Sequence, residues 1–248
     1  LVLLADQMIS VKQEISGTIE TDKPSADLIS DLLQSNNNYF AKLEEIANEE
    51  INLINFNLGN RLISMINHLK EKYSIKVDFA EEGFKENFVK KFIAEKKLLK
   101  ISNALPRDSK EFLIAHQIGL LTAKEPIETK LKSEGITDKN TLALGKTVLA
   151  NYFASCMLMP YDDFCDAAKK YRYDIDMLSN RFDASFEQVC HRLTTLNKQN
   201  KKGIPFHFMR VDIAGNVSKR FSLSGLKIPR YSVACPRWNV YTAFLNPG

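Results

Sequence analysis

Apolar positions along this chain recur first at helical spacing, then at strand spacing, then at helical spacing again. In the first 72 residues Leu28, Ile29, Leu32 and Leu33 form one stripe, and Leu62, Met65, Ile66 and Leu69 another, so this segment is predicted helical. The turn chemistry of QSNNN (34–38) separates these helices and can cap one that begins near Tyr39. SIKVDFA and FIAEKKLLKIS then read as strands, the second folding back as a hairpin. Pro106 opens a helix running to about Thr122, with Phe112, Leu113, His116, Gln117 and Leu120 close to one face. A long apolar helix spans about Asn140 to Met159 and stops at Pro160, and a short one follows over Asp163–Tyr171. In DIDMLSNRFDASFEQVCHRLTTL two helices flank a DAS turn, with Ser185 as N-cap and Gln188 three residues on. From Ile204 the period becomes two, and PFHFMRVD, AGN and VSKRFSL predict a β-hairpin followed by more sheet or extended chain. The order of helices, small sheet, helices and hairpin predicts an α+β fold.

Composition narrows the class. The chain has 248 residues, 44% of them hydrophobic, with only 10 Gly and 8 Pro, which excludes disordered and collagen-like material. Its longest apolar runs fall far short of the roughly 20 residues that cross a bilayer, so no membrane association is expected. The first residue is Leu1, and LVLLADQ lacks the basic region of a signal peptide. The expectation is a cytoplasmic piece without its natural N-terminus. Cys156, Cys165, Cys190 and Cys235 include no CxxC pair, which argues against a zinc ribbon and for buried thiols. Net charge is +4, but residues 1–70 carry 5 Lys or Arg against 10 Asp or Glu, which leaves +9 for the rest. Lys198 to Arg230 holds 8 basic side chains and one acid, Asp212. Such a stretch suits nucleic acid, a phosphorylated small molecule, or simply a solvated lysine surface.

Two motifs carry candidate chemistry. FLIAHQIGLL has the frame of a zinc-peptidase helix, in which two histidines four apart bind metal and the Glu between them is the base. Here those positions are His116, Gln117 and Leu120, and the next helix offers KTVLAN (146–151) in place of an acidic ligand. Gln cannot take a proton at neutral pH and Leu cannot ligate, so no catalytic zinc and no enzyme activity are expected. A zinc-dependent peptidase of the repressor-cleaving type is the alternative. The helix pair around DAS has helix-turn-helix spacing, with Gln188 and His191 able to face a major groove and Phe182, Phe186, Val189 and Leu193 as its core. Internal helix packing explains the same spacing.

ANYFASCMLMPY (150–161), YDIDMLSNRFDASFEQVCHRLTTL (173–196), GIPFHFMRVDIAGNVSKRF (203–221) and ACPRWNVYTAF (234–244) resemble the bacterial short-chain fatty acyl transcriptional regulators, with YFAKLEEIA (39–47) extending the match upstream. The resemblance implies an acyl-CoA sensor for short-chain fatty acid metabolism. It implies a helical linker and dimerisation segment (1–72), a degenerate zincin-like sensory domain (73–200) and a truncated C-terminal β region (201–248). It further implies operator binding through an N-terminal DNA-binding domain that would precede Leu1, and a homodimer. Some members of the family carry an iron–sulfur cluster, for which Cys190 and Cys235 occupy matching positions, so a cluster is expected only in a longer protein.

A CoA thioester needs cations for its phosphates and an apolar slot for its acyl arm. Arg192, Arg210, Lys219 and Arg220 are the candidate cations, with His191 beside them. Tyr152, Phe153 and Tyr161 are the candidate slot, for which core packing is the alternative. Lys219 and Arg220, being adjacent on a strand, point to opposite faces. The expected ligand is of the acetyl- or propionyl-CoA class, seated between the ANYFASCMLMPY helix and the basic hairpin.

Overall fold

A computed structural model describes residues 25–54, 59–80 and 88–211, together with the backbone of 217–222. Three helices come first: α1 (Ser25–Ser35), α2 (Ala41–Ile54) and α3 (Arg61–Tyr73). Asn37 and Asn38 take left-handed φ values of 49° and 51°, a conformation Asn tolerates, and so make the tight α1–α2 turn. β1 (Lys76–Ala80), β2 (Lys90–Ile93) and β3 (Leu98–Ser102) form a sheet of order β1-β3-β2. β1 runs parallel to β3, and β2 closes the expected hairpin against β3 with Lys90 opposite Ile101.

The centre of the molecule is a pair of helices, α4 (Arg107–Thr122) and α6 (Lys139–Leu158). Both are buried nearly all round over His116 and its neighbours and over Leu149–Leu158. They approach closely because Gly119 has no side chain. A Cβ there would lie 2.7 Å from Cδ1 of Phe153, which is fully buried. Helices α1 and α2 pack on α6, and α3 packs on α4, so the N-terminal helices share one hydrophobic core with this pair. Between α4 and α6 lies α5 (Lys124–Ser133), which the sequence pattern did not predict because KEPIETKLKS buries only Ile127 and Leu131.

A second core follows Met159. It is built by α7 (Tyr161–Lys170), α8 (Ile175–Phe182) and α9 (Phe186–Leu193). The capping box at the start of α9 forms as predicted: Ser185 Oγ accepts from the Gln188 amide, and Gln188 Oε1 accepts from the Ser185 amide. Two short strands, β4 (Asn197–Lys198) and β5 (Lys201–Lys202), lead to the predicted hairpin of β6 (His207–Val211) and β7 (Val217–Ser222). The AGN turn, Cys235 and the expected extended tail lie outside the described residues. Among the described residues, no single helix is long and apolar enough to cross a membrane.

Substituting Gly119→Ala should destabilise the fold. The forced displacement of Phe153 costs about 1–3 kcal/mol, against a helix-propensity gain of about 1 kcal/mol. A lower urea midpoint is expected, and a higher one would mean that α4 and α6 have room to spare.

Candidate functional site

The former metal-helix positions come first. α4 places His116 in the interior, and its Nδ1 lies 2.6 Å from Nζ of Lys90, the first residue of β2. The ring also makes a hydrogen bond to the backbone of Thr147, within the KTVLAN turn of α6. Burial and the neighbouring Lys90 charge lower the His116 pKa to about 3, and burial lowers that of Lys90 to about 7. Gln117 is buried and Leu120 brings hydrocarbon. These residues do not fit zinc. One imidazole is engaged by an amine, and neither of the other two positions carries an anionic or nitrogen ligand.

On the opposite side of α6 lies a buried ionic network. Glu44 sits on α2 between Phe40 and Ala47 at helical spacing, hence on the apolar face. Its carboxylate receives Arg192 Nη1 at 2.7 Å and Nη2 at 2.9 Å, a two-pronged pairing from α9. The same guanidinium donates through Nε to the Met159 carbonyl at 2.9 Å and through Nη1 to Thr195 Oγ1 at 3.1 Å. Tyr152 donates its hydroxyl to Glu44 Oε1 at 2.8 Å and accepts from the Phe40 amide at 3.1 Å. Burial, then the Glu44 carboxylate, raises the Tyr152 hydroxyl well above its ordinary pKa, so it remains a donor. Next to this network, Asn38 Nδ2 donates to Thr194 Oγ1 at 2.9 Å and fastens the α1–α2 turn to the end of α9.

The outer surface of this turn forms one wall of a cavity of about 590 Å³. Tyr39, Phe40, Leu43, Ile127 and Leu149 give it an apolar lining, and Lys42 and Lys130 add cations. Lys42 is paired with Glu45, and Lys130 with Glu134, both at 2.7 Å.

The structure thus redistributes the residues singled out in the sequence. Arg192 does not face a phosphate: it is fully buried and committed to Glu44. Tyr152, Phe153 and Tyr161 do not form an open slot, because all three are core residues with 2% exposure or less. Phe153 fills the space over Gly119, while Tyr161 donates to the Lys201 carbonyl and accepts from the Lys198 amide, each at 2.8 Å. Arg210 lies 3.6 Å from Glu187 and is registered opposite Lys219, with Met209 opposite Arg220. The side chains of Lys219 and Arg220 lie outside the described part. His191 is partly exposed on α9. Cys190 is partly buried, and burial followed by Glu187 pushes its thiol up to about 11, away from the thiolate form a cluster needs. In the helix-turn-helix-like pair, Phe182, Val189 and Leu193 are buried as expected, but Phe186 is 58% exposed and Gln188 is used in the cap.

Glu44, Asn38 and Lys90 escaped the sequence reading. For Glu44 a signal existed, since Phe40, Leu43, Glu44 and Ala47 share one face and an acid there demands a buried partner.

Residues 70–194 match the family described as IrrE N-terminal-like domain, and residues 195–248 match that described as short-chain fatty acyl coenzyme A regulator, C-terminal. The HTH-type transcriptional regulator PrpR of Mycobacterium tuberculosis is 31% identical over 257 residues, covering all of this chain and 53% of that protein. The propionyl-CoA carboxylase regulator of Cereibacter sphaeroides is 41% identical over 150 residues, 60% of this chain and 32% of that one. RamB of M. tuberculosis, also named an HTH-type transcriptional regulator, is 30% identical over 89% of this chain and 46% of its own length. The chain therefore spans about half the length of the first of these relatives or less. A solved structure of a M. tuberculosis transcriptional regulator superposes with a TM-score of 0.83 at 31% identity, covering 90% of this chain and 68% of the other.

Two outcomes follow from the site's electrostatics. Arg192→Met leaves the Glu44 carboxylate buried without its partner and should cost about 3–5 kcal/mol in chemical denaturation, with Glu44→Leu/Arg192→Met recovering a large part. A double variant no better than the single would show that the guanidinium's other hydrogen bonds dominate. The second outcome concerns acid. The folded His116 pKa of about 3 lies below its model value of 6.5, so in this window the unfolded chain binds the extra proton and stability falls as pH drops. Between pH 7 and pH 5 the loss from this group should be about 2 kcal/mol. His116→Asn should remove that part of the dependence.

Proposed function

This chain belongs to the short-chain fatty acyl coenzyme A regulator family, with an IrrE-like domain before its C-terminal region, and from that premise we propose that it senses a short-chain acyl-CoA for a transcriptional regulator of propionate or acetate metabolism. The observation that carries the reading is the apolar groove backed by the Phe40–Tyr152–Glu44–Arg192 chain. A groove of this size and lining suits a short acyl group with its pantetheine arm, which is apolar along its length and carries a few amides. Lys42 and Lys130 stand where phosphates would emerge. Arg210, Lys219 and Arg220 are a second set of cations for the nucleotide end.

The groove also offers a route for a signal. Phe40 forms its wall, and the Phe40 amide is bonded to Tyr152. A ligand that shifts Phe40 therefore presses on the ion pair between α2 and α9, and through Thr195 on the strands that follow. In this reading the relatives' chemistry of control is shared: operator DNA is contacted by a helix-turn-helix region other than α8–α9, and a homodimer matches a two-fold operator.

Calorimetry with acetyl-CoA, propionyl-CoA, CoA and free propionate tests the proposal. Thioester binding well above that of propionate is expected, and equal binding would defeat it. Ala41→Trp, which fills the groove from an exposed position, should weaken binding at least about tenfold, equivalent to 1.4 kcal/mol. Arg210→Ala should cost roughly 1.5–3 kcal/mol if the hairpin holds the phosphates. An effect of Arg210→Ala without one of Ala41→Trp would move the ligand from the groove to the hairpin.

A further inference from the structure

Ligand sensing in the groove makes no use of the Lys90–His116 pair, although the pair has the geometry of an activated nucleophile. Lys90 opens β2, an edge strand of its sheet, and its side chain turns inward while keeping some contact with solvent. Its amine is 2.6 Å from an imidazole nitrogen. That imidazole is itself held by the backbone of Thr147 on the neighbouring helix. An amine within hydrogen-bond reach of a base that a third group orients is the arrangement by which side-chain nucleophiles are activated.

We propose that Lys90 is a nucleophilic lysine that accepts an acyl group from a short-chain acyl thioester, with His116 as the base. The choice of donor rests on the ligand class proposed above. In the step, Nζ attacks the thioester carbonyl carbon, the carbon–sulfur bond breaks, and CoA leaves as its thiolate. The proton lost from Nζ passes to His116 Nδ1 and then to the thiolate. The products are an acylated lysine amide and free CoA thiol, with no change of oxidation state.

The surroundings favour this chemistry. Burial holds the Lys90 pKa at about 7, so a large share of the amine is free base near neutral pH. His116 is neutral in the same range and able to accept a proton. Gln117 and Leu120, in the remaining positions of the ancestral-type motif, offer no competing charge. Acylation would erase the cation of Lys90 and add bulk between β2 and α4, a covalent record of thioester supply beside the reversible one.

The test is incubation of the full chain with acetyl-CoA near neutral pH, followed by peptide mass spectrometry over time. Lys90 should gain an acetyl group at least about tenfold faster than the exposed Lys91 and Lys96, the advantage that even one unit of lowered pKa gives in free amine. Lys90→Arg should abolish the fast site, and His116→Asn should slow it, with circular dichroism reporting that both variants fold. Equal rates at Lys90 and the exposed lysines in the unaltered protein would overturn the proposal, as would an unchanged rate in folded His116→Asn. Calorimetry on the same samples separates the two readings. Acetyl-CoA binding without preferential Lys90 acylation overturns this inference alone, whereas absence of binding overturns the sensing reading. Protection of Lys90 by added zinc would also count against it, because it would mean that the site holds a metal.

Discussion

The pairing of Glu44 with Arg192 is the contact on which the arrangement of the remaining elements depends. Each group alone would be costly to bury, and their attraction offsets that cost only because the geometry is two-pronged and the other donors find acceptors. The Met159 carbonyl and Thr195 hydroxyl take the remaining guanidinium bonds, while Tyr152 donates to the carboxylate. One interaction therefore fixes α2, α6, the α6–α7 junction and α9 relative to one another. It also joins the two hydrophobic cores, which meet at Met159. A second buried arginine repeats the device on the other side. Arg61 of α3 pairs with Glu111 of α4 and donates to the Phe182 and Asp183 carbonyls at 2.9 and 3.0 Å, closing the end of α8. Non-polar packing alone would hold such helices together, but charge pairs of this kind fix which face meets which.

The peptidase-like helix has been converted from a metal site into part of the interior. Leu120 and the KTVLAN turn supply hydrocarbon where charged ligands would stand, and Lys90 supplies the positive group that faces His116. The conversion leaves α4 and α6 free to pack at the distance Gly119 permits. It also leaves an imidazole and an amine in contact inside a low-polarity environment, where both are neutral near physiological pH. Binding in the groove and chemistry at Lys90 thus occupy different faces of the same central helices, which is how one scaffold can hold two responses to one class of ligand.

Periodicity and capping chemistry made most of the local structure legible. The stripes of α1 and α3, the β2–β3 hairpin, the stop at Pro160, the Ser185–Gln188 capping box and the β6–β7 hairpin are all local features, and each lies where the residues place it. The loss of the metal site was equally readable, since ligation depends on residue type at fixed spacing. The amphipathic signal of α5 was too weak to read, with two buried side chains in ten residues. What the chain order could not reveal was which polar group meets which across long separations. Arg192 looked like a phosphate ligand because an arginine in a basic region is ordinarily exposed. Only the approach of α2, 148 residues earlier, turns it inward to Glu44. Tyr152 and Tyr161 likewise looked available for a ligand, until their hydroxyls met Glu44, the Phe40 amide, and the backbone of Lys198 and Lys201. Sequence by itself determined the elements, their order and the chemistry that is missing, because those follow from neighbours a few residues apart. Tertiary structure alone decided which charges are buried and which cavity stays open, because the cost of burying a charge is settled by partners that only folding brings within 3 Å.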